Sequence, residues 1–424
     1  MSPTKKNLTS NIISLIIRTA FVLVLIPFYI KFLGQDLYSD WIVLYTLPAI
    51  FELTNFGINQ AVNNTFSIQF NKKIDQSNRI ITHGLYFTFL IGFTVSLLVF
   101  IIWDSIGIND FLNILIISNN QSKFIVLFLT VKVFLDMIRG ILSSYLFAKN
   151  LNHFTIYLNT FQYVIESLLI IILIYLGKSL VTVSATLIIP TLLSCLFLSI
   201  LNHVRFNYTF DWNFELKYLK MLLKPSYSFS LLSVSEYILS QGFIIIFKKF
   251  YISESLIIFN SAKTLTNYIK QIQALIASSV FPVFNVYFGT NQTKKLRSLF
   301  SKSVKVTISI SIILCLGFIL FGETIWNLWL DDSITFDNRL FNIMIIIQLV
   351  SSFWIISSNL IVSMNKHFVF SIFYLSSSIL SLVGFYLFNS LFFISFSLAP
   401  IFYLIHQILM LLYSNFYIRT IIKR

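Results

Sequence analysis

The sequence predicts an all-α polytopic membrane protein, with twelve transmembrane helices arranged as two six-helix bundles. Three observations carry that expectation. Of 424 residues, 57% are hydrophobic and 11% charged, a balance too apolar for a water-soluble chain of this length. Apolar runs of about twenty residues, the length that crosses a bilayer, recur from end to end. Lysine and arginine, thirty against sixteen acids, collect in alternate connections between those runs, as they do in membrane proteins of fixed orientation.

Taken in order, the first half offers apolar runs at 11–31, 41–62, 80–103, 124–147, 154–176 and 180–201. The run 14–30 does not alternate apolar and polar residues, which excludes a strand of an outer-membrane barrel. It carries Arg18, is too long for a secretory leader and lacks a small-residue cleavage site, so it is expected to remain as the first helix. The second half offers runs at 225–247, 256–280, 302–321, 340–363, 368–388 and 392–416. Between the halves, 202–224 carries Asp211, Trp212 and lysines alternating with aromatics, the pattern of an interfacial connector. The expected organisation is a bundle over 1–201, a connector over 202–224 and a bundle over 225–424.

The even-numbered loops and the two termini hold Lys5, Lys6, Lys72, Lys73, Arg79, Lys149, Arg205, Lys217, Lys220, Lys224, Lys294, Lys295, Arg297, Lys302, Lys305, Lys366, Arg419, Lys423 and Arg424. The opposite side holds Lys31, Lys123, Lys178, Lys248, Lys249 and Arg339 together with seven aspartates, among them Asp36, Asp40 and Asp337. The positive-inside rule therefore places both termini in the cytoplasm and accounts for most of the basic balance without nucleic acid.

Several chemistries lack their residues. The two cysteines, Cys195 and Cys315, lie singly inside apolar runs and form neither a disulfide framework nor a metal-ligand spacing. The histidines at 83, 153, 203, 367 and 406 are scattered, mostly at expected cytoplasmic helix ends, so no metal site is expected. No phosphate-binding glycine loop, nucleophile elbow or zinc-protease pattern occurs. No cofactor is expected; transport would draw on an ion gradient (H+ or Na+), a substrate gradient or downstream consumption. The 46 Phe and 20 Tyr read as lipid-facing bulk and interface belts rather than sugar-stacking platforms.

Six runs on each side of the connector make both halves face the same way, the arrangement of parallel-repeat transporters with a pseudo-two-fold along the membrane normal. Lys31-Phe32 through Asp36 matches Lys249-Phe250 through Glu254 at an offset of 218, and Lys72-Lys73 matches Lys294-Lys295 at 222.

Ionisable groups inside runs are the natural candidates for function, because each costs about 2.5–3.5 kcal/mol at the centre of an inserted helix and needs a partner or water. There are nine: Arg18, Lys132, Arg139, Lys263 and Lys270 against Glu52, Asp136, Glu166 and Glu236. Lys132, Asp136 and Arg139 share one helical face, either as a structural triad or with a surplus cation that another group must answer. Lys263 and Lys270 lie two turns apart on one face with Thr264, Thr266, Asn267 and Gln271, a face unsuited to lipid. At the 218 offset Arg18 corresponds to Glu236 and Glu52 to Lys270, so opposite charges occupy matching depths. Either these residues face each other across a cavity between the halves or the depths coincide by accident. The small positive excess suits an anionic substrate such as a diphosphate or an acidic glycan.

Ile26-Pro27-Phe28-Tyr29-Ile30-Lys31-Phe32-Leu33-Gly34, followed by Tyr38, Trp41 and Asn55-Phe56-Gly57-Ile58, resembles the opening of bacterial polysaccharide flippases of the O-antigen translocase (Wzx) type. These belong to the multidrug/oligosaccharidyl-lipid/polysaccharide (MOP) exporter superfamily. Lys224-Pro225-Ser226 and the stretch from Phe250 to Ala262 are similar to that family's second half. The chain departs from it at Ser39, at Asn55 and at Ser240-Gln241, where relatives commonly carry Gly, an acid and an acid. The resemblance implies a MATE-like pair of bundles in the bacterial inner membrane. It also implies transfer of an undecaprenyl-diphosphate-linked oligosaccharide to the periplasmic leaflet for O-antigen or capsule (lipopolysaccharide) synthesis, beside a polymerase and a chain-length regulator. Arg18, Lys132, Arg139, Lys263 and Lys270 would then hold the diphosphate or acidic sugars, while Glu52, Asp136 and Glu236 would balance charge or carry protons. A polysaccharide polymerase would be expected to show a large periplasmic loop, whereas the longest external loop here is 322–339. A drug or cation antiporter would favour a less cationic cavity.

Overall fold

The computed structural model describes residues 3–51, 57–69, 74–149, 151–211, 213–290, 292–331, 333–364 and 367–422. Among them there is no strand. In chain order the helices are α1 (Pro3–Phe51), α2 (Ile58–Gln69), α3 (Ile74–Ile106), α4 (Ile108–Leu112), α5 (Asn119–Leu142), α6 (Ser144–Ala148), α7 (Asn152–Tyr175), α8 (Leu180–Thr186) and α9 (Ile188–Phe206). They continue with α10 (Leu216–Phe250), α11 (Ser253–Gly289), α12 (Thr293–Leu330), α13 (Asn338–Ser352), α14 (Ile355–Ser363), α15 (Phe368–Phe392) and α16 (Ile401–Ile422). Apart from the second expected span, of which 52–56 lie outside the described residues, each expected span falls on one helix or on a broken pair, and the breaks have local causes. In α1 the first two spans run together across a kink at Gly34, whose φ of 75° and ψ of 169° belong to glycine's territory. The sixth span divides at Leu187, where Pro190 supplies no N–H to bond the preceding turn. The last span starts later than expected, because α15 runs on to Phe392, Phe393 turns left-handed and Pro400 precedes the new helix.

Nine helices of the described residues are long and apolar enough to cross a membrane. Neither α5 nor α11 is among them, and these are the helices that carry Lys132, Asp136, Arg139, Lys263 and Lys270. Large apolar side chains stand outward on the others, including Phe89 and Phe93 on α3 and Ile313 and Leu320 on α12, each more than 60% exposed. Surfaces of that kind are stable only against lipid or a partner, so the protein is a multi-pass membrane protein.

The chain divides into two compact units, Met1–Ser233 and Val234–Arg424. In the first unit α5 is the central helix, packed on α1, α3, α8 and α9, with α7 against α1. The connector packs onto this unit: Tyr208, Tyr218 and Leu222 join Ile58, Phe66, Ile80 and Tyr145 in one buried cluster. Arg79 pairs with Asp211 at 3.0 Å and with Glu215, while Asn202 donates to the Leu142 carbonyl at 2.8 Å. At the other end of the helices the buried Asp40 carboxylate accepts backbone N–H groups from Leu115, Ile116 and Ile117 at 2.7–3.2 Å. It thereby fixes the turn that feeds α5. In the second unit α11 packs on α12, α13 and α14, and α16 packs on α13, α14 and α15. A stack of Phe243, Phe247, Phe259, Phe385 and Tyr403 ties α10, α11, α15 and α16 together.

Candidate functional site

In the first unit the charged face of α5 meets α7. Lys132 Nζ lies 2.8 Å from Asp136 Oδ2 and 3.2 Å from Glu166 Oε1, and Arg139 Nη2 lies 3.0 Å from Asp136 Oδ1. The intrahelical triad is thus present, as its spacing of three and four residues requires. Its surplus cation is answered by Glu166, one turn beyond Gln162 on α7. Two cations and two anions leave this cluster formally neutral. Gln162 Nε2 donates to Asp136 Oδ1 at 3.1 Å, to Glu166 Oε1 at 2.7 Å and to Thr191 Oγ1 at 2.9 Å. Thr191 also donates to Glu166 at 3.2 Å, and Arg139 donates to Asn159. A buried charge that is both paired and hydrogen-bonded is the form in which it is tolerated in an apolar interior.

Arg18 lies outside this cluster. It is exposed, with its guanidinium carbon 5.3 Å from the centre of the Tyr163 ring on α7. Tyr163 follows Gln162 directly, so α7 carries both the buried network and the aromatic platform for Arg18.

In the second unit Lys270 of α11 pairs with Glu236 of α10. Tyr374 of α15 donates its hydroxyl to the second oxygen of the same carboxylate. Both members of the pair keep about a third of their side-chain surface open, 35% and 36%, so the pair is reachable by water or ligand where the α5 network is closed. Lys263 donates to the Ser240 carbonyl at 2.9 Å, one turn along α10 from Glu236.

Glu236 meets Lys270 of its own unit in this structure, because α10 and α11 double back through the short turn at 251–252 and the two residues lie at similar distances from it. Glu52, matched with Lys270, lies outside the described residues. Lys132, Asp136 and Arg139 are brought together as one cluster, Lys263, Lys270 and Glu236 as another. The second layer escaped sequence reasoning. Glu166 was among the nine ionisable groups, but Gln162, four residues earlier on the same run, was not singled out. Thr191 and Tyr374 gave no sign among many hydroxyl and aromatic residues. His406 was set aside as scattered. It is fully buried, shares a hydrogen bond of 3.0 Å with Ser377 through Nδ1, and lies with its ring 4.9 Å from that of Tyr374. Among the described residues no group of three His, Cys, Asp or Glu side chains could hold a metal ion.

The model of a family described as polysaccharide biosynthesis protein matches residues 37–333, well over half of the chain. No curated protein matches. Among solved structures the chain is similar to an inward-facing multidrug resistance MATE family transporter of the MOP superfamily. The TM-score is 0.81 at 14% identity, covering 96% of this chain and 94% of that one. It is also similar to a MOP superfamily transporter from Pyrococcus furiosus described as having a binding pocket of reverse polarity, with a TM-score of 0.71 at 14% identity, covering 100% and 96%. An outward-facing MATE transporter gives 0.70 at 13% identity, covering 99% and 95%. The chain belongs to the polysaccharide biosynthesis protein family, and its fold is that of the MOP superfamily transporters.

Proposed function

We propose that this protein is a flippase that carries a lipid-linked glycan across the bacterial inner membrane, cytoplasmic to periplasmic leaflet, with both termini cytoplasmic. The substrate we infer is an undecaprenyl-diphosphate-linked oligosaccharide destined for O-antigen, capsule or a related surface polysaccharide. One observation carries the reading: a chain of the polysaccharide biosynthesis family places a solvent-reachable Lys270–Glu236 pair, with Lys263 beside it, inside a membrane-embedded unit. A cation held in reserve by a carboxylate at that depth is suited to an anion that enters and displaces the carboxylate. Arg18, exposed over Tyr163, is a second contact for the diphosphate or acidic sugars. Lys132 and Arg139, tied into a closed network with Asp136 and Glu166, position α5 and α7 and reach substrate only if that network opens. The two bundles are the moving halves of an alternating-access cycle. Glu52, Asp136 and Glu236 balance charge or carry the coupling ion, H+ or Na+, and polymerase and chain-length regulator act downstream.

The test is to delete the gene and locate the lipid-linked repeat unit by leaflet while surface polysaccharide is assayed. Accumulation on the cytoplasmic leaflet with loss of surface glycan supports the flippase. Accumulation on the periplasmic leaflet would mean a polymerase, and unchanged glycan would turn the reading toward a drug or cation antiporter.

A further inference from the structure

The second unit contains a buried histidine that the pairing of Lys270 with Glu236 does not use. His406 is fully buried on α16, its Nδ1 is engaged by Ser377, and its Nε2 is buried without a hydrogen-bond partner. A buried ring nitrogen in that position is an open acceptor for one proton and, once protonated, an unsatisfied donor. Tyr374 touches both sides of the arrangement: its hydroxyl donates to Glu236, and its ring lies 4.9 Å from the imidazole.

The other elements around His406 contribute few charges. From α10 comes Glu236 and from α11 Lys270, both in the pair already described. From α15 come Tyr374 and Ser377, and α16 itself adds Tyr403, whose ring lies 6.4 Å away. On α13 and α14 the single titratable residue is Arg339, in the first turn of α13, at the end where Asp337 accepts a hydrogen bond of 2.5 Å from Ser397. Glu236 is therefore the one carboxylate that the described residues place beside His406, and Lys270 already occupies it.

We propose that His406 is a counter-ion switch: taking one proton on Nε2, it draws Glu236 away from Lys270 and converts this part of the second unit into a binding site for a diphosphate-class anion. The argument is one of charge and satisfaction. With His406 neutral, Glu236 and Lys270 cancel, and Lys263 rests on the Ser240 carbonyl. With His406 protonated, one carboxylate faces two partners, its own lysine and a new imidazolium donor that has no other acceptor. Tyr374, already hydrogen-bonded to Glu236, steers that carboxylate as it turns. Lys270 then needs another anion, and the ligand supplies it. Proton and anion bind with mutual reinforcement, as linkage requires. The proton comes from water and returns to it; no bond other than N–H forms or breaks.

The inference rests on the flippase reading only in its choice of ligand class, and it is tested by binding alone. The purified full-length protein in nanodiscs is titrated with UDP-glucose, a diphosphate diester whose charge stays constant over the range used, near pH 5.5 and pH 8. Binding is followed by calorimetry and by the fluorescence of Trp354, which packs on Tyr374 with ring centroids 5.9 Å apart. The wild type is expected to bind about tenfold more tightly at the lower pH, within the range usual for coupled sites. His406→Gln should bind weakly at both pH values. Glu236→Gln should bind tightly at both, because Lys270 is then free without a proton, and this variant keeps the test decisive if the first fails to fold. Lys270→Gln should lose binding. Equal affinity at both pH values in the wild type, or an undiminished pH dependence in His406→Gln, would overturn the switch and leave the glycan reading standing. Unchanged leaflet distribution on gene deletion would sink the glycan reading and leave the switch intact.

Discussion

Replacing Glu166 by Gln in the α5–α7 network tests how the first unit tolerates charge inside a membrane. Lys132 and Glu166 approach to 3.2 Å with side-chain exposures of 13% and 10%, well below the level at which solvent screening would cancel the pair. At an effective dielectric constant of about 20 their attraction is about 5 kcal/mol. The Gln side chain retains hydrogen bonds to Thr191 and Gln162, so the net loss is smaller, about 3 kcal/mol, the usual result of removing one member of a buried pair. The cluster passes from neutral to one net positive charge. For a unit of this size such a loss lowers the unfolding midpoint by about 6–12 °C. Thermal unfolding of the purified protein in detergent, followed by tryptophan fluorescence, reads the effect. The double variant Lys132→Met with Glu166→Gln restores neutrality, with Arg139 against Asp136, and is expected to recover at least half of the loss. A midpoint for Glu166→Gln within a degree of the parent would refute the reasoning, as would a double variant whose loss equals the sum of the single losses.

Three further outcomes follow from other sites. Asp40→Asn places an amide donor against the N–H groups of Leu115–Ile117 that the carboxylate now accepts; it should cost about 2 kcal/mol and speed hydrogen exchange at those three amides, and unchanged exchange would refute the anchoring role. On α12, Gly322→Ala brings a Cβ to 2.5 Å from Phe341 Cε1, whereas Gly317→Ala meets nothing within 4 Å. The first should destabilise by about 1–3 kcal/mol and the second should be neutral or stabilising in the same thermal assay, a contrast that vanishes if the α12–α13 contact is wrong. At the connection between α14 and α15, burial holds the His367 imidazole below its ordinary value of 6.5. The unfolded chain then binds the proton more readily, so the stability present above about pH 6.5 falls as the pH drops through that value. His367→Gln should flatten the midpoint between pH 7 and pH 5, and an equally steep decline in the variant would assign the acid sensitivity elsewhere.

The membrane class and the intrahelical triad of Lys132, Asp136 and Arg139 were legible in the sequence, because each depends on composition or on spacing along a single helix. The helix breaks inside the fourth and tenth spans, at Ser143 and at Phe353-Trp354, were not. Apolar content continues through them, and a run of hydrophobic residues does not record where a hydrogen-bond ladder is interrupted. Rotation about the helix axis was not readable, so the spacing of residues did not show that Glu236 and Lys270 of one unit would pair. His406 was invisible for a related reason: it stands alone in its own helix, and its significance comes from Tyr374 and Ser377, about thirty residues away on α15.

By itself the sequence determined that the chain must live in a bilayer, since so much apolar surface has no other solvent. It also determined that the ionisable residues of α5 and α11 could not face lipid, since an unpaired charge there costs more than a helix can absorb. The tertiary structure alone decided which partner each of them meets. Glu166 closes the α5 network and Glu236 holds Lys270 because contacts between helices are set by crossing geometry and axial rotation, and neither is written in the spacing of residues along one helix.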